Sequence, residues 1–397
     1  MKRQSWLELF VQTANDGKPL PALTRDALSN LDQTLYEVWS LGDNLVLAWT
    51  RLDRNLCFLA VRHYAIVETF GGDFAGDDNS RSNEFINELL AGPKCHPPAE
   101  FERIRRSLGD AAHIVDIGIA PGLEIGEALV DAVVTRYGVS LVRERAVVLL
   151  DVVGFSRRAP LEQLAMLNSL NYSVNSAFRQ LQSRDIHVDF ARTTTGDGFY
   201  IWNRAHGAEA TVALYELMML ILADNAVAQR KAKRFPVPTL RAAFHVGEHY
   251  EFYQVEGLNP TAFGYIVGQV TIDLSRLIEK ALPGQILLGE FAIDMEEGES
   301  EKATKCSTQG FVLQAADRIA QLRGLTVGDD LVDTIRCYLT GPRKSDGVFL
   351  ANRYAISDKH EMLRYAFNAK INIHLVGSKP IFLGMQHKDL HRNNAWP

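Results

Sequence analysis

The chain of 397 residues has little cysteine. Its four cysteines, Cys57, Cys95, Cys306 and Cys337, lie far apart with no CxxC spacing. That pattern offers neither a cysteine zinc site nor a disulfide framework, and leaves buried free thiols as the reading. Positive charge is not in excess either. Forty-two Lys and Arg against 48 Asp and Glu give a formal net charge of −6. Nothing global attracts nucleic acid or an anionic membrane, so a polyphosphate ligand must be held by local cations or by metal. Long apolar runs free of charge are also missing. The most hydrophobic stretch, TVALYELMMLILADNAVA, carries Glu216 and Asp224 and reads as a buried helix rather than a membrane span. The opening MKRQSWLELFVQ runs into polar and acidic residues without the apolar core or small-residue cleavage site of a signal peptide. A cytoplasmic protein with no nucleic-acid and no membrane partner is expected.

What the chain does have is material for a core, with 47% hydrophobic and 23% charged residues, and a length that suits two or three domains. Residues 1–124 read as an N-terminal α+β module. Its helical stretch WLELFVQTAND is followed by strand-like TLYEVWSLGDNLVLAWTRL and NLCFLAVRHYAIVETF. Residues 125–144 read as a connecting helix, with Ile125, Leu129, Ala132 and Val133 at helical spacing. In residues 145–300 strands and helices alternate: strand RAVVLLDVVGFS, helix LEQLAMLNSLNYSVNSAFRQLQSR, a hairpin IHVDFARTTTGDGFYIWN turning at Thr194 to Gly198, a long helix, strand LRAAFHVGEHYEFY, helix VTIDLSRLIEKAL and strand GQILLGEF. That order suits an α/β or α+β sandwich with helices on the sheet. Residues 301–397 read as a small C-terminal α+β unit packed on the one before it. The likeness of LGDNLVLAW (41–49) to TGDGFYIW (195–202) is read as two hairpins that share a Gly-Asp turn.

The chemistry is expected around LLDVVGFS. An isolated carboxylate is costly to bury in an apolar strand, so Asp151 needs hydrogen-bond donors, a basic side chain or a metal ion as partner. Asp197, in the turn of the next hairpin, converges on it if the strands are neighbours. Two carboxylates held together repel unless something divalent sits between them, and oxygen-only ligands suit Mg²⁺ or Mn²⁺. The turn at Gly154, Phe155 and Ser156 offers backbone amides to phosphate. Together these features point to a nucleoside triphosphate.

LLDVVGFS, TTTGDGFYIW, LRAAFHVGEHY and GYIVGQVTIDLSRL, in that order, resemble the catalytic domain of class III nucleotide cyclases over residues 145–291, a little more than a third of the chain. The resemblance implies a cyclase-type mixed sheet with a ferredoxin-like core. It implies two metal ions per site, Mn²⁺ or Mg²⁺, held by Asp151, Asp197 and the carbonyl of Val152. It implies a homodimer with composite sites, and a transition-state arginine at Arg276. The asparagine that usually accompanies that arginine is replaced by Ile272, with Asp273 beside it. The lysine that reads a purine in the family is Thr193 here, and the second base-reading position is Tyr265. With Arg192 and Tyr172 these form the expected base-recognition set, and they resemble the pyrimidine cyclases of bacterial antiphage signalling. The product expected is cyclic CMP or cyclic UMP from CTP or UTP, with adenylate or guanylate cyclisation, or a degenerate nucleotide sensor, as alternatives. Lys359 and His360, in a C-terminal stretch similar to a sensor-like domain, are expected phosphate contacts. His245 is expected to be structural.

Overall fold

The computed structural model describes residues 20–70, 79–233, 236–255, 262–295, 304–342, 350–357 and 362–390. They form two compact units, Met1–Arg143 with Tyr250–Val267, and Glu144–His249 with Gly268–Pro397.

In the first unit, helix α1 (Ala22–Trp39) leads into β1 (Asn44–Leu52) and β2 (Asn55–Arg62), then α2 (His63–Phe70), α3 (Asn79–Ala91), α4 (Pro98–Leu108), β3 (Ala112–Gly118) and α5 (Glu127–Thr135). The three strands form an antiparallel sheet in the order β1-β2-β3. A bulge between Val46 and Ala48 resets the alternation of β1. Val46 and Trp49 consequently face Leu28, Leu31, Leu35 and Val133 on one side, while Leu47 and Ala48 join Leu59, Phe101 and Ile104 on the other.

Two strand expectations fail here. TLYEVW is the end of α1, because Leu28, Leu31, Leu35 and Trp39 recur at three- and four-residue steps and are all buried. HYAIVETF is α2 rather than a continuation of β2. Gly42 closes a 3-10 turn (Ser40–Gly42) at the end of α1 and Asp43 follows it, so the Gly-Asp pair makes no hairpin. The connecting helix ends at Thr135, and β4 (Val139–Val152) already begins within the stretch expected to be helical. WLELFVQTAND lies outside the described residues.

The second unit continues with α6 (Pro160–Gln182), β5 (Phe190–Thr194), β6 (Gly198–Asn203), α7 (Gly207–Lys231), β7 (Leu240–Val255), β8 (Ala262–Val267, which pairs with residues 250–255 and so belongs to the first unit), α8 (Gln269–Lys280), β9 (Ile286–Gly289), β10 (Ala292–Met295), β11 (Thr304–Ser307), α9 (Thr308–Ala320), β12 (Thr326–Val327), β13 (Asp330–Leu339), β14 (Arg353–Ser357), β15 (Leu363–Leu375), β16 (Ile381–Gly384) and α10 (His387–Leu390). The main sheet runs β12-β13-β15-β9-β7-β4-β6-β5. β7 and β9 are parallel, whereas β4–β6, β5–β6, β9–β15 and β13–β15 are antiparallel. This is the expected α+β architecture, a mixed sheet flanked by helices. The C-terminal strands extend that sheet: β15 inserts between β9 and β13.

Alternation along the strands gives the sheet two unlike faces. Val148, Leu150, Val152, Ile201, Ala242, Phe244, Leu288 and Ile371 pack with α6, α7 and α9 in one large core. α7 is long and apolar enough to cross a membrane by length and composition, but 83% of its apolar window is buried inside the fold. That burial marks it as the core helix expected from its acidic residues.

Glu216 on α7 is 1% exposed. Loss of water pushes its carboxyl from 4.5 up to about 7, Glu209 adds to the rise, and Arg318 opposes it. A carboxyl whose folded pKa is raised weakens the fold as pH rises from the unfolded pKa through the folded one. Urea unfolding should therefore show Glu216→Gln gaining up to about 3 kcal/mol on the wild type between pH 5 and pH 8. Parallel curves at the two pH values would contradict the burial of an ionisable Glu216.

Candidate active site

β4 turns Val148, Leu150 and Val152 into the core with α6, α7 and α9 and Asp151 toward the other face, next to Gly198 on β6. The fit between these strands requires glycine. A Cβ on Gly198 would lie 1.8 Å from the carbonyl oxygen of Leu150, closer than any side chain tolerates. The hairpin preceding it is held by its own hydroxyls and amides. Thr194 Oγ1 accepts from the Gly196 amide at 3.0 Å, Gly196 sits at φ +96°, and the Thr195 amide donates to the Gly198 carbonyl at 3.1 Å. Thr195 Oγ1 donates to Asp197 Oδ1 at 3.2 Å. The Val152 amide donates to the Asp197 carbonyl at 3.0 Å, which ties the turn to the end of β4. The structure thus brings Asp151 and Asp197 together, as the sequence predicts.

The partner that Asp151 required is Arg241, a residue the sequence reading passed over. Its Nε and Nη2 donate to Asp151 Oδ2 at 2.8 and 2.5 Å. Ala242 and Phe244 point into the helix-side core, so alternation along β7 delivers Arg241 and His245 to the face that carries Asp151. Arg241 Nη1 also reaches the Ala281 carbonyl just beyond α8 at 3.5 Å. Asp151 is 7% exposed, and its carboxyl is pushed up, first by loss of water. Arg241 pulls it down, while the charge of Asp197 and a hydrogen bond between the two carboxyls push it up again. The local signal for Arg241 was a lone cation inside the apolar strand LRAAFHV. Its destination depends on the pairing of strands 90 residues apart, which no local pattern discloses.

α8 lies over this same face. Tyr200, two residues along β6 from Gly198, donates from its hydroxyl to the Thr271 carbonyl at 3.0 Å. Gly247 leaves room for α8, since a Cβ there would come within 3.2 Å of Val270 Cβ. Asp273 sits at the centre of a polar cluster. Its Oδ1 accepts from Gln269 Nε2 at 2.8 Å and from Arg364 Nε on β15 at 2.5 Å. Its Oδ2 lies 3.6 Å from His245 Nε2. Burial opposes ionisation of Asp273, but His245 and Arg364 outweigh it and hold the carboxyl below the usual aspartate value. His245 is thus part of the polar packing under α8. Arg276, one turn further along, has Nη1 3.4 Å from Glu279 Oε2. Ile272 is 47% exposed.

Several expected site residues stand elsewhere. Thr193 pairs with Tyr200 and shares the Asp151 face, but its neighbour Arg192 points to the opposite face, with its guanidinium 5.2 Å from the Phe199 ring centre. Strand alternation forbids both from reading one base from this face. Tyr172 is 69% exposed on α6, a helix packed on the core side of the sheet, away from Asp151. Phe155 packs against that core too, so its ring is no phosphate contact. Gly154 does turn the chain, at φ +68°, but into a single 3-10 turn, Phe155–Arg157, that includes the exposed Ser156; the long helix starts only at Pro160. The amides of Arg157 and Arg158 are taken by the Gly154 and Phe155 carbonyls. Tyr265 belongs to the first unit, where it pairs across the strands with Phe252, ring centres 5.8 Å apart and 21° from parallel. Lys359 and His360 lie outside the described residues.

No protein-family model and no curated protein sequence matches the chain. Among solved structures it is similar to the guanylate cyclase domain of RhGC from Catenaria anguillulae in complex with GTP, at 12% identity and a TM-score of 0.35, over 59% of this chain and 98% of that one. It is also similar to the adenylyl cyclase CyaB from P. aeruginosa (13%, TM-score 0.32, 60% and 97%) and to the guanylyl cyclase Cya2 (14%, TM-score 0.31, 57% and 91%). At such scores the likeness does not place the chain in a family.

The ion pair makes a direct prediction. Asp151→Asn and Arg241→Gln should each destabilise the fold by on the order of 1–3 kcal/mol, because each leaves a largely buried charge without its counterpart. The double variant should lose at least about 0.5 kcal/mol less than the sum of the two. Additive losses in urea unfolding would show that the two side chains do not interact in solution.

Proposed function

We propose that the protein is a metal-dependent nucleotidyl cyclase whose reacting centre is the Asp151–Asp197 pair. The observation that carries this reading is the meeting of two carboxylates, one buried in β4 and one fixed in a hairpin turn, close enough that the charge of Asp197 opposes ionisation of Asp151. Their donor set suits a hard divalent cation. Arg241 binds Asp151 through Oδ2 alone, which leaves Oδ1 for a ligand, and Asp197 and the Val152 carbonyl supply further oxygens. Mn²⁺ or Mg²⁺, two per site, would be held by these three residues, and when bound would supply charge stabilisation for phosphoryl transfer.

In this reading the ribose 3′-oxygen forms a bond to the α-phosphorus, the bond to the β-phosphate oxygen breaks, pyrophosphate leaves, and the 3′-hydroxyl proton passes to solvent. The chain's own part is alignment and charge. Asp197 is fixed by Thr195 and by the tie from Val152, so the acid pair is set before substrate arrives. Arg276, on α8, is the group proposed to stabilise charge on the phosphoryl transferred in the partner protomer's site, and Gly154 and Ser156 line the turn proposed to meet the phosphates. A homodimer with composite sites is part of the proposal.

The base is proposed to be a pyrimidine, CTP or UTP. What supports this is residue type: threonine at 193 on the acid face, where the resembling family has lysine. An antiphage signalling role belongs to the same resemblance. A second reading has an observation of its own. Arg241 already neutralises Asp151, and Ile272 stands where an asparagine is usual, which suits a chain that binds nucleotide without turning it over.

One assay separates these readings. Purified protein is incubated with each of the four ribonucleoside triphosphates and Mn²⁺ or Mg²⁺, and the products are identified by mass. A cyclic pyrimidine nucleotide is expected, and Asp197→Ala should lower its formation by at least about 10³-fold with the fold intact. Cyclic AMP or GMP alone would overturn the pyrimidine assignment, and binding without any cyclic product would overturn the enzyme. Mixing Asp197→Ala with Arg276→Ala chains should restore part of the activity if the sites are shared between two protomers; no recovery would count against the composite dimer.

A further inference from the structure

Both ends of α8 are tied to one strand that comes from far along the chain. At the first end, Arg364 of β15 donates to Asp273 at 2.5 Å, with both side chains largely buried, at 12% and 17% exposure. Beyond the last turn, the Leu282 amide donates to Gln285 Oε1 at 2.8 Å, and Gln285 Nε2 donates to Asn368 Oδ1 at 3.0 Å. Asn368, four residues after Arg364 on the same face of β15, is itself fixed by donating to Thr340 Oγ1 and to the Met385 carbonyl, at 2.5 and 2.7 Å. Gln285 and Asn368 are both fully buried. Buried polar groups satisfied in this way are costly to separate, because each would lose its partner without gaining water. α8 is also restrained by His245 beside Asp273, by Arg241 at the Ala281 carbonyl, by Tyr200 and by the apolar side chains Val270, Leu274, Leu277 and Ile278. Apolar packing resists lifting of the helix but is less specific about sliding and rotation. The directional contacts at its two ends determine where Arg276 stands.

We propose that β15 is a working part of the reacting centre, with Arg364 a positioning residue that acts through Asp273 to fix α8 and hence Arg276. The inference rests on the cyclase reading for its catalytic consequence, but its structural half stands without it. Arg364 touches neither of the metal-binding acids. Its contribution is to hold the helix against rotation and sliding, so that the Arg276 guanidinium meets the transferred phosphoryl in one geometry. Loss of Arg364 should therefore appear in turnover and much less in substrate binding.

The test uses the full chain and two variants, Arg364→Gln and Arg364→Lys. Amide hydrogen exchange is followed by mass spectrometry for residues 269–280, with α6 as an internal reference. Arg364→Gln should speed exchange in α8 by about 5- to 30-fold and leave α6 unchanged, with Arg364→Lys recovering part of the protection. The kcat for the cyclic product should fall by about 10- to 100-fold, with KM within about threefold of the wild type. Unchanged exchange in α8, or equal acceleration in α6, overturns the proposal. So does a loosened α8 with undiminished kcat. If the wild-type chain forms no cyclic product from any triphosphate, the cyclase reading fails, while the exchange measurement still decides whether β15 fixes α8. Should Arg364→Gln fail to fold, Asp273→Asn removes the same charge pair with a near-isosteric side chain and is judged by the same outcomes.

Discussion

Asp151 loses nearly all its water inside β4, and the free energy lost must be returned by groups that reach the same face of the sheet. Arg241 returns much of it with two hydrogen bonds to one oxygen, and in doing so fixes the relation between β7 and β4 at the point where the chain turns. Asp197 works the other way, raising the cost of charge at Asp151. The result is a carboxylate pair held together by backbone fit and by a neighbouring cation, against its own repulsion. Such a site favours the arrival of further positive charge, which is the physical basis of the metal-dependent reading.

The unlike faces of the sheet follow from the same constraint. One face accepts α6, α7 and α9 with almost nothing but apolar side chains. The other collects Asp151, Arg241, His245, Asp273, Arg364, Asn368 and Gln285 under and around α8. Polar groups at this density are tolerated because nearly every one meets a partner, and such partnership fixes geometry in a way that apolar packing does not. The face best suited to chemistry is thus also the one whose parts are most narrowly positioned.

Much of this frame was legible in the residues. The apolar run around Asp151, the Thr-Gly-Asp-Gly turn and the buried α7 each carry a local pattern, and the structure bears each out. Residues on a strand next to a recognised motif were legible only to within a face. Thr193 was placed on the right side and Arg192 on the wrong one, because a one-residue step reverses direction. Arg241 and Arg364 were not legible at all. Their roles arise from contacts with residues 90 and 91 positions away, which a single chain records only in the completed fold. The end of α1 was misread because Tyr36, Val38 and Trp39 favour strands locally while Leu28, Leu31 and Leu35 impose the helical period.

The insertion of β15 between β9 and β13 has a consequence for the order of events during synthesis. Every other strand of the main sheet except β16 precedes β15 in the chain, yet β15 occupies an interior place. Until residue 375 has been made, β9 presents an open edge, Asp273 on α8 lacks Arg364, and Gln285 just beyond α8 lacks Asn368. The nascent chain must keep that edge from pairing wrongly until then, which makes the second unit a slow, late-closing fold with a window for aggregation. The polar face gains a safeguard from this delay: α8 cannot be fixed at Asp273 before β15 has been made.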